Sequence, residues 1–340
     1  MIYRAVTSAE AGPMGFNTFA GMCELSGICL VNKPDSDILI ANTDLFPENI
    51  KNLDLSKFKK LVFCQTFHID DLEAQEKVTK IEQLNHSNIT VITLNQNLKS
   101  NIVKVIHFDT CFARTKSFYF DQDKIKHGWY YSGNNSYVLN QIPEIKNHSK
   151  CFINLNNHLN FYRIKLYNTA KQYHSLGYIS NIDQNEILSS QNQEIQQLQN
   201  LDDPIRHVYY GYVPIANTYY DCSYFSVYVE SCFTDPKNLL LPSEKTYEPL
   251  LKGHFILPFS NPGFIKFLKD FGFIFPDFID YSYDSITDCD SRFETFIEEF
   301  KRIINLSWSE LYTTHRDILL HNRKLFQTKS YNKEIAKVFV

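Results

Sequence analysis

Two adjacent charged residues, Glu244 and Lys245, open a predicted helix in which Ser243 is the N-cap. Lys245 then lies in the first turn, where the helix dipole disfavours a positive charge by about 0.3–1 kcal/mol. Pro249 removes a backbone donor one turn later, so a kink is expected. Unbonded N–H groups at a helix N-terminus bind anions, and a lysine adds a point charge there. We therefore interpret Glu244 and Lys245 as a clamp for a nucleoside diphosphate; the alternative is an exposed Lys245–Glu248 ion pair.

Further polar residues follow predicted strands, where an α/β fold binds its ligands. Glu230 ends one strand and is interpreted either as a carboxylate that faces a cleft or as a solvated strand end. Arg163 lies early in another predicted helix, after a turn of small polar residues that contains Asn157. Its guanidinium would suit a diphosphate, and the alternative is an exposed side chain beside Lys165.

Two acidic triplets resemble the D-x-D sites that hold a metal ion in some sugar transferases. Asp288 and Asp290 precede a predicted helix, and Ser291 with Glu294 fits a helix capping box, so a capping role is favoured over metal binding. The other triplet, at residues 121–123, lies in a polar loop and is an equally weak signal. The sequence has no histidine pair at zinc spacing and no nucleophile elbow, Walker A or dinucleotide-binding motif, which argues against hydrolase, kinase and dehydrogenase functions.

The composition is that of a globular protein of 340 residues with a formal net charge of −4. A general polyanion-binding function is not expected, since such proteins carry a basic excess. The hydrophobic fraction of 44% allows a large core, and the length favours two domains. The cysteines form no CxxC pair and are interpreted as reduced thiols. No signal peptide or membrane-spanning apolar run is recognised, so we predict a cytoplasmic protein and leave peripheral membrane attachment open.

The N-terminal third alternates apolar runs with amphipathic segments, which is typical of βαβ units. The runs lack polar alternation, so we predict strands of a parallel sheet covered on both faces. These strands are predicted at residues 37–41, 60–64 and 88–94, with crossover helices at residues 48–60 and 68–85. A polar stretch at residues 121–150 is predicted to contain the domain boundary.

The C-terminal part is predicted to be a second α/β domain. Its predicted strands are at residues 151–155, 224–230 and 254–259, and its predicted helices at residues 159–177, 181–200, 291–301 and 308–326. Gly177 is interpreted as a helix C′ glycine, and another helix is predicted to start with Asn261 as N-cap and Pro262 at N1 and to stop at Gly272. Paired doubly wound domains bind ligands at the carboxyl ends of their strands and in the cleft between them.

Three stretches of this C-terminal part resemble the donor-binding half of family 10 glycosyltransferases, the α-1,3-fucosyltransferases, and resemble fucosyltransferase-like proteins of phages and bacteria more than other members of that family. In FSVYVES and LLLPSEKTYEPLLKGHFILPFSNPGFIKFLKDFGF, Glu230 matches the family's strand-terminal glutamate, and Ser243-Glu244-Lys245 matches its T-E-K helix start. The segment CFINLNNHLNFYRIKLYNTAKQYHSLGYISN is similar to its first C-terminal βα unit. The family's asparagine after the glutamate is absent, and its basic turn residue is His158 here.

The resemblance covers residues 151–304 and implies a GT-B fold, an α/β architecture of two Rossmann-like domains facing a central cleft. It implies an acceptor-side domain at residues 1–145, a donor-binding domain at residues 146–320, and a tail at residues 321–340 that could pack back on the first domain. The implied reaction moves a sugar, with inversion, from a nucleoside-diphosphate sugar to a hydroxyl of a glycan or other acceptor. No obligatory metal and no other cofactor is implied.

The resemblance also implies which residues bind the donor. They are Lys245 and Arg163 at the diphosphate, Glu244 at the ribose, Glu230 facing the sugar, and the neighbouring Ser243 and Asn157. A general base is needed to deprotonate the acceptor hydroxyl and is expected from the N-terminal domain, near the carboxyl end of a strand. The candidates are His68, Asp70, Asp44 and Asp109, of which His68 or Asp70 is favoured.

Two other functions are kept open by the sequence. The same fold could act on a modified base in phage DNA, which the acidic net charge disfavours. A non-catalytic module that binds a nucleotide sugar would keep the charged clamp and lack the base.

Overall fold

The structure is a computed structural model of the chain. The described residues are 2–7, 23, 29–32, 36–42, 50, 52–64, 71–93, 95, 97–109, 111–112, 115–116, 139–156, 160–181, 217–230 and 239–329. The chain divides into two compact units, one formed by Met1–Tyr137 with Lys329–Val340 and the other by Val138–Thr328. Among the described residues, no helix is both long enough and apolar enough to cross a membrane.

The first unit contains a six-stranded sheet whose described pairings are all parallel. Its strands are β1 (Ile2–Thr7), β2 (Cys29–Asn32), β3 (Ile38–Asn42), β4 (Lys60–Cys64), β5 (Ile89–Thr93) and β6 (Lys104–His107), in the order β2-β1-β3-β4-β5-β6. The predicted strands β3, β4 and β5 are confirmed, and every residue of β4 and β5 is buried, as expected for a covered parallel sheet. The sequence-based prediction missed β1, β2 and β6.

Of the two helices predicted in this unit, one is confirmed. Helix α1 (Asp71–Glu82) lies within the predicted segment and packs Ala74, Val78 and Ile81 into the core. The helix predicted at residues 48–60 is wrong, because the described part of that segment contains only a 3-10 turn, Leu55–Lys57. The Asp54 carboxylate accepts hydrogen bonds from the Ser56 backbone N–H and hydroxyl, a local bond that competes with helix formation.

The second unit contains a four-stranded parallel sheet in the order β10-β9-β7-β8. Its strands are β7 (Phe152–Asn156), β8 (Gly177–Asn181), β9 (Phe225–Val229) and β10 (Phe255–Phe259). The predicted strands β7, β9 and β10 are confirmed, and β8 was missed. Gly177 is not a helix C′ residue: it begins β8 with an extended backbone (φ −142°), and a Cβ there would overlap the ring of Phe152.

The order of these four strands creates a topological switch point between β7 and β9. The chain moves outward on one side from β7 to β8, and on the other side from β9 to β10. Loops that follow the two central strands therefore diverge at their carboxyl ends and leave a crevice, which is the usual ligand position in open α/β sheets.

The described residues of the second unit form the helices α2 (Phe161–Ala170), α3 (Asn217–Asp221), α4 (Glu244–Lys252), α5 (Phe264–Phe271), α6 (Cys289–Ile303), α7 (Trp308–Thr314) and α8 (Arg316–Thr328). A 3-10 segment, Lys171–Leu176, continues α2, so the predicted helix is confirmed with a change of type at its end. The predicted helix at residues 308–326 is divided at His315 into α7 and α8. The surface helix predicted at residues 181–200 lies almost wholly outside the described residues.

Two predicted helix starts are shifted in the structure. Helix α5 begins at Phe264, after Gly263 in a left-handed conformation, because the Asn261 side chain donates to the carbonyl of Leu239 instead of capping the helix. Its predicted end at Gly272 is confirmed. Helix α6 begins earlier than predicted, because Asp288 is its N-cap and accepts the Ser291 backbone N–H.

Candidate functional site

The candidate site lies at the carboxyl ends of β7 and β9, on the switch point of the second unit's sheet. Helix α2 starts just after β7 and contains Arg163 in its first turn. Glu230 directly follows β9, and α4 starts with Glu244 and Lys245 after Ser243. Residues that were predicted from two separate segments are therefore brought to one edge of the sheet.

Ser243 is the N-cap of α4, as predicted, and has an extended backbone. Its Oγ accepts the backbone N–H of Lys245 at 3.2 Å. The same hydroxyl donates to Oε2 of Glu230 at 2.6 Å. Ser243 thus connects the helix start to the residue that ends β9.

Glu230 is completely buried, with 0% of its surface exposed. In addition to the Ser243 hydroxyl, its Oε1 accepts the Ser243 backbone N–H at 3.0 Å and the Thr246 hydroxyl at 2.5 Å. The sequence predicts an accessible carboxylate here, either facing the sugar or solvated at the strand end. The structure instead covers Glu230 with the first turn of α4, and its hydrogen bonds go to that turn.

The expected row of unbonded N–H groups at the start of α4 is not found at residues 243 and 245–247, whose N–H groups all have acceptors. Glu230 accepts the Ser243 N–H, and the Ser243 hydroxyl accepts the Lys245 N–H. The N–H groups of Thr246 and Tyr247 both donate to the Ser243 carbonyl at 3.1 Å. An anion at this helix start would therefore be bound mainly by side chains.

The side chains of Glu244 and Lys245 contact each other, with Lys245 Nζ 2.9 Å from Glu244 Oε1. Adjacent helical residues normally point in different directions, so both side chains bend toward a common point. The alternative Lys245–Glu248 pair is wrong: Glu248 pairs with Lys252 at 2.7 Å, and both of these side chains are at most 3% exposed. Lys245, at 17% exposure, and Glu244, at 36%, remain within reach of solvent.

Arg163 is 5% exposed, which contradicts the alternative of an ordinary surface residue. Its Nε donates to the carbonyl of Val229, the last residue of β9, at 3.2 Å, and its backbone N–H donates to the N-cap Asn160. Burial lowers the pKa of Arg163, while the carboxylates of Glu230 and Glu244 act in the opposite direction. The guanidinium therefore lies within electrostatic reach of the two carboxylates of the site.

A third helix, α5, also starts at this edge, and the Asp284 carboxylate of the same chain already binds its N-terminus. Asp284 accepts the Ile265 N–H at 3.0 Å and caps this helix. Burial raises the pKa of Asp284, although backbone hydrogen bonds from the helix start oppose this. The start of α5 is thus closed to a second anion, which leaves the starts of α2 and α4 as the cationic part of the edge.

The acidic triplet Asp288-Cys289-Asp290 has structural contacts. Asp288 caps α6, and Asp290 accepts the Tyr162 hydroxyl at 2.9 Å. Within the described part of the chain, no group of histidine, cysteine, aspartate or glutamate side chains could hold a metal ion. The N-cap of α6 is thus Asp288 and not Ser291, the residue that the predicted capping box would use.

Several predicted site residues lie outside the described residues. They are the candidate bases Asp44, His68 and Asp70, the turn residues Asn157 and His158, and the triplet at residues 121–123. The fourth candidate base, Asp109, is described and accepts the Phe112 backbone N–H at 2.8 Å.

Two residues of the site were missed from the sequence. The Thr246 hydroxyl donates to Glu230, and the Tyr228 hydroxyl donates to Thr246 at 2.8 Å. A usable signal was present in β9, where Ser226, Tyr228 and Glu230 alternate with apolar residues and therefore share one face of the strand. That alternation predicts a polar network under the covering helix.

A cavity of about 620 Å³ opens elsewhere, near residues that precede β7 and β9 at the opposite edge of this sheet. Its lining includes Cys151, Tyr224, Ser307, Trp308 and Glu310, and none of the predicted donor-site residues. Cavity size and the clustered charged residues thus point to different edges. We favour the carboxyl edge, because Arg163 and Lys245 come from different βα units and both lie in helix starts at its switch point.

No protein-family model matches this chain, and no curated protein matches it. The function has to be inferred from the geometry of the switch point and from the resemblance of residues 151–304.

Proposed function

We propose that this protein is a glycosyltransferase that moves a sugar from a nucleoside-diphosphate sugar to an acceptor hydroxyl, with inversion and without an obligatory metal. One observation carries the proposal. Arg163 and Lys245 come from different βα units and both lie in first helical turns at the β7–β9 switch point, where Lys245 contacts Glu244 and the Glu244 carboxylate acts electrostatically on Arg163. Crevices of this kind bind nucleotides in open α/β sheets.

The proposed chemistry requires a cationic environment for the departing diphosphate. Arg163 can supply a planar pair of donors, and Lys245 a mobile point charge. Both would stabilise the negative charge that develops on the leaving group. Lys245 would exchange its contact with Glu244 for a phosphate oxygen, which would release the Glu244 carboxylate to accept the two ribose hydroxyls.

The acceptor would be a glycan or another hydroxyl compound, activated by a general base from the first unit. His68 and Asp70 remain the favoured residues for this role, with Asp44 as a further candidate. The GT-B arrangement, with the acceptor and donor sides facing a cleft, is part of the same proposal.

A thermal-shift screen with GDP, UDP, CDP and the corresponding nucleotide sugars tests the proposal first. The nucleobase that the protein prefers limits which sugars the donor can carry. Lys245→Ala should then abolish nucleotide binding in calorimetry and leave the melting temperature nearly unchanged. Lys266→Ala is the matched control, since Lys266 forms an exposed ion pair with Asp270 outside the site. Unaltered nucleotide affinity in Lys245→Ala would refute the proposed site.

Turnover assays with a panel of donors and acceptors separate the remaining functions. Tight nucleotide binding without transfer or hydrolysis would identify a non-catalytic module. Transfer to DNA, together with DNA binding that weakens steeply as salt rises, would identify a DNA-modifying enzyme.

A further inference from the structure

We propose that Tyr228, Thr246 and Glu230 form a buried positioning relay that orients Glu244 and Lys245 for nucleotide binding. The inference rests on the proposed function, because it assigns a purpose to the orientation of those two side chains. In this relay Glu230 is a positioning residue that acts through the start of α4. It does not touch the sugar.

The relay runs from the sheet to the helix through hydrogen bonds. The Tyr228 hydroxyl donates to Thr246 Oγ1 at 2.8 Å, and Thr246 Oγ1 donates to Glu230 Oε1. Glu230 then accepts the backbone N–H and the hydroxyl of Ser243. Because Tyr228 and Glu230 lie on the same face of the β9 region, the relay ties two points of this strand and its end to the first turn of α4.

The direction of these bonds is set by the environment. Tyr228 is almost fully buried, and burial together with the nearby Glu230 raises its pKa well above the usual value. Its hydroxyl therefore stays protonated and acts as the donor to Thr246. The Thr246 hydroxyl is left to donate its own proton to Glu230.

The first turn of α4 depends on this relay more than an ordinary helix start would. Pro249 lies inside the helix and has no N–H, so the carbonyl of Lys245 lacks the donor that a regular helix would supply. The hydrogen bonds that Glu230 accepts from Ser243 and Thr246 hold the first turn in place and partly substitute for the missing backbone bond. Since Lys245 is flanked by Ser243 and Thr246, which both bond Glu230, its backbone is fixed from both sides.

A role in positioning differs from a role in stability alone, and paired variants separate the two. Thr246→Val keeps the shape of the side chain and removes the hydroxyl, whereas Thr246→Ser keeps the hydroxyl. Tyr228→Phe removes the first donor of the relay. The matched control is Tyr312→Phe, which removes a buried tyrosine hydroxyl that donates to the Pro143 carbonyl at 3.0 Å, away from the relay.

Two readouts are needed for these variants. Calorimetry with GDP, UDP and CDP measures nucleotide affinity, and hydrogen exchange measures protection of the amides at residues 243–247. We expect Thr246→Val and Tyr228→Phe to bind the preferred nucleotide about tenfold more weakly, since small misplacements of binding groups are costly. Both should also lose protection in the first turn. Thr246→Ser should restore both properties, and Tyr312→Phe should change neither, even if its melting temperature falls.

The outcomes distinguish this inference from the proposed function. If the wild-type protein binds a nucleoside diphosphate and Thr246→Val binds it equally well, the relay has no positioning role and the proposed function stands. If the wild-type protein binds none of the nucleotides, the proposed function fails. Hydrogen exchange then tests whether the relay orders the first turn of α4. Unchanged amide protection in Thr246→Val would show that it does not.

Discussion

Arg163 donates from Nε to the carbonyl of Val229 at 3.2 Å, and this bond joins the first turn of α2 to the last residue of β9. The two residues belong to the strand–helix units on either side of the switch point. The bond therefore links the two units at the switch point where the nucleotide is proposed to bind. The carboxylates of Glu230 and Glu244 also act electrostatically on this guanidinium and oppose the lowering of its pKa by burial.

The first prediction concerns the geometry of this guanidinium. Arg163→Lys keeps the positive charge, but an ammonium group cannot bond Val229 and a diphosphate in one planar arrangement. We expect nucleotide affinity to fall by about tenfold or more, because a lost charge-assisted hydrogen bond is worth roughly 1.5–3 kcal/mol. Calorimetry measures the change. Arg302→Lys is the control, since Arg302 bonds Glu299 and lies outside the site; an equal loss in both variants would contradict the prediction.

The second prediction is a pH dependence that originates at Lys146. Its Nζ donates to the Tyr220 carbonyl and lies 5.3 Å from the centre of the Tyr312 ring. Burial lowers the pKa of Lys146 to about 7 from its usual value of 10.5, with Asp221 and Cys222 acting in the opposite direction and Arg323 in the same one.

The sign of this dependence follows from proton binding in the two states. Between the folded pKa and the unfolded pKa, the unfolded chain binds a proton at Lys146 that the folded protein has lost, so stability rises with pH in this window. Lys146→Met should therefore be most stabilising at pH 6–7, and its advantage should decrease by on the order of 4 kcal/mol toward pH 10. Urea unfolding across this range measures it. A difference between the two proteins that does not change with pH would contradict the assignment.

The third prediction concerns the buried ion pair of α4. Glu248 and Lys252 lie 2.7 Å apart with almost no exposed surface, and Lys252 also lies over the ring of Tyr220. Removing one partner leaves a buried charge without its counter-ion, so Glu248→Gln or Lys252→Met should cost about 3–5 kcal/mol in the free energy of unfolding.

The paired substitution tests the cause of that loss. Glu248→Leu with Lys252→Met removes both charges and should recover most of the stability, because a buried ion pair is often replaceable by apolar side chains. Asp270→Asn breaks the exposed pair of Lys266 and Asp270, which has the same spacing, and should cost little. If the double variant loses as much free energy of unfolding as the two single variants together, the two charges do not compensate each other.

The fourth prediction concerns the close approach of β7 and β8. A Cβ at Gly177 would overlap the ring of Phe152 in the neighbouring strand. Gly177→Ala should therefore destabilise the protein by about 1–3 kcal/mol, the usual cost of overpacking a core. In a Phe152→Leu background, Gly177→Ala should reduce the free energy of unfolding by less than it does in the wild-type protein. A double-mutant cycle measured by denaturant unfolding shows whether the two positions couple.

The sequence by itself determined the local elements and their ends. Apolar runs located β3, β4, β5, β7, β9 and β10, and the serine before Glu244 located the start of α4. These features depend on neighbouring residues and on local propensity, so they can be read from short segments. Where a side chain competed with the helix, as Asp54 does beside Leu55–Lys57, the periodicity was misleading.

Only the tertiary structure decided which strands are neighbours and which charged residues are buried. The order β10-β9-β7-β8 creates the switch point, and pairing between strands far apart in the chain leaves no local pattern. The same holds for Glu230, which reads as a strand-end carboxylate in the sequence and is covered by the first turn of α4 in the structure. Its partners Ser243 and Thr246 reach it because the chain folds back over the sheet, and that path is set by the packing of the whole unit.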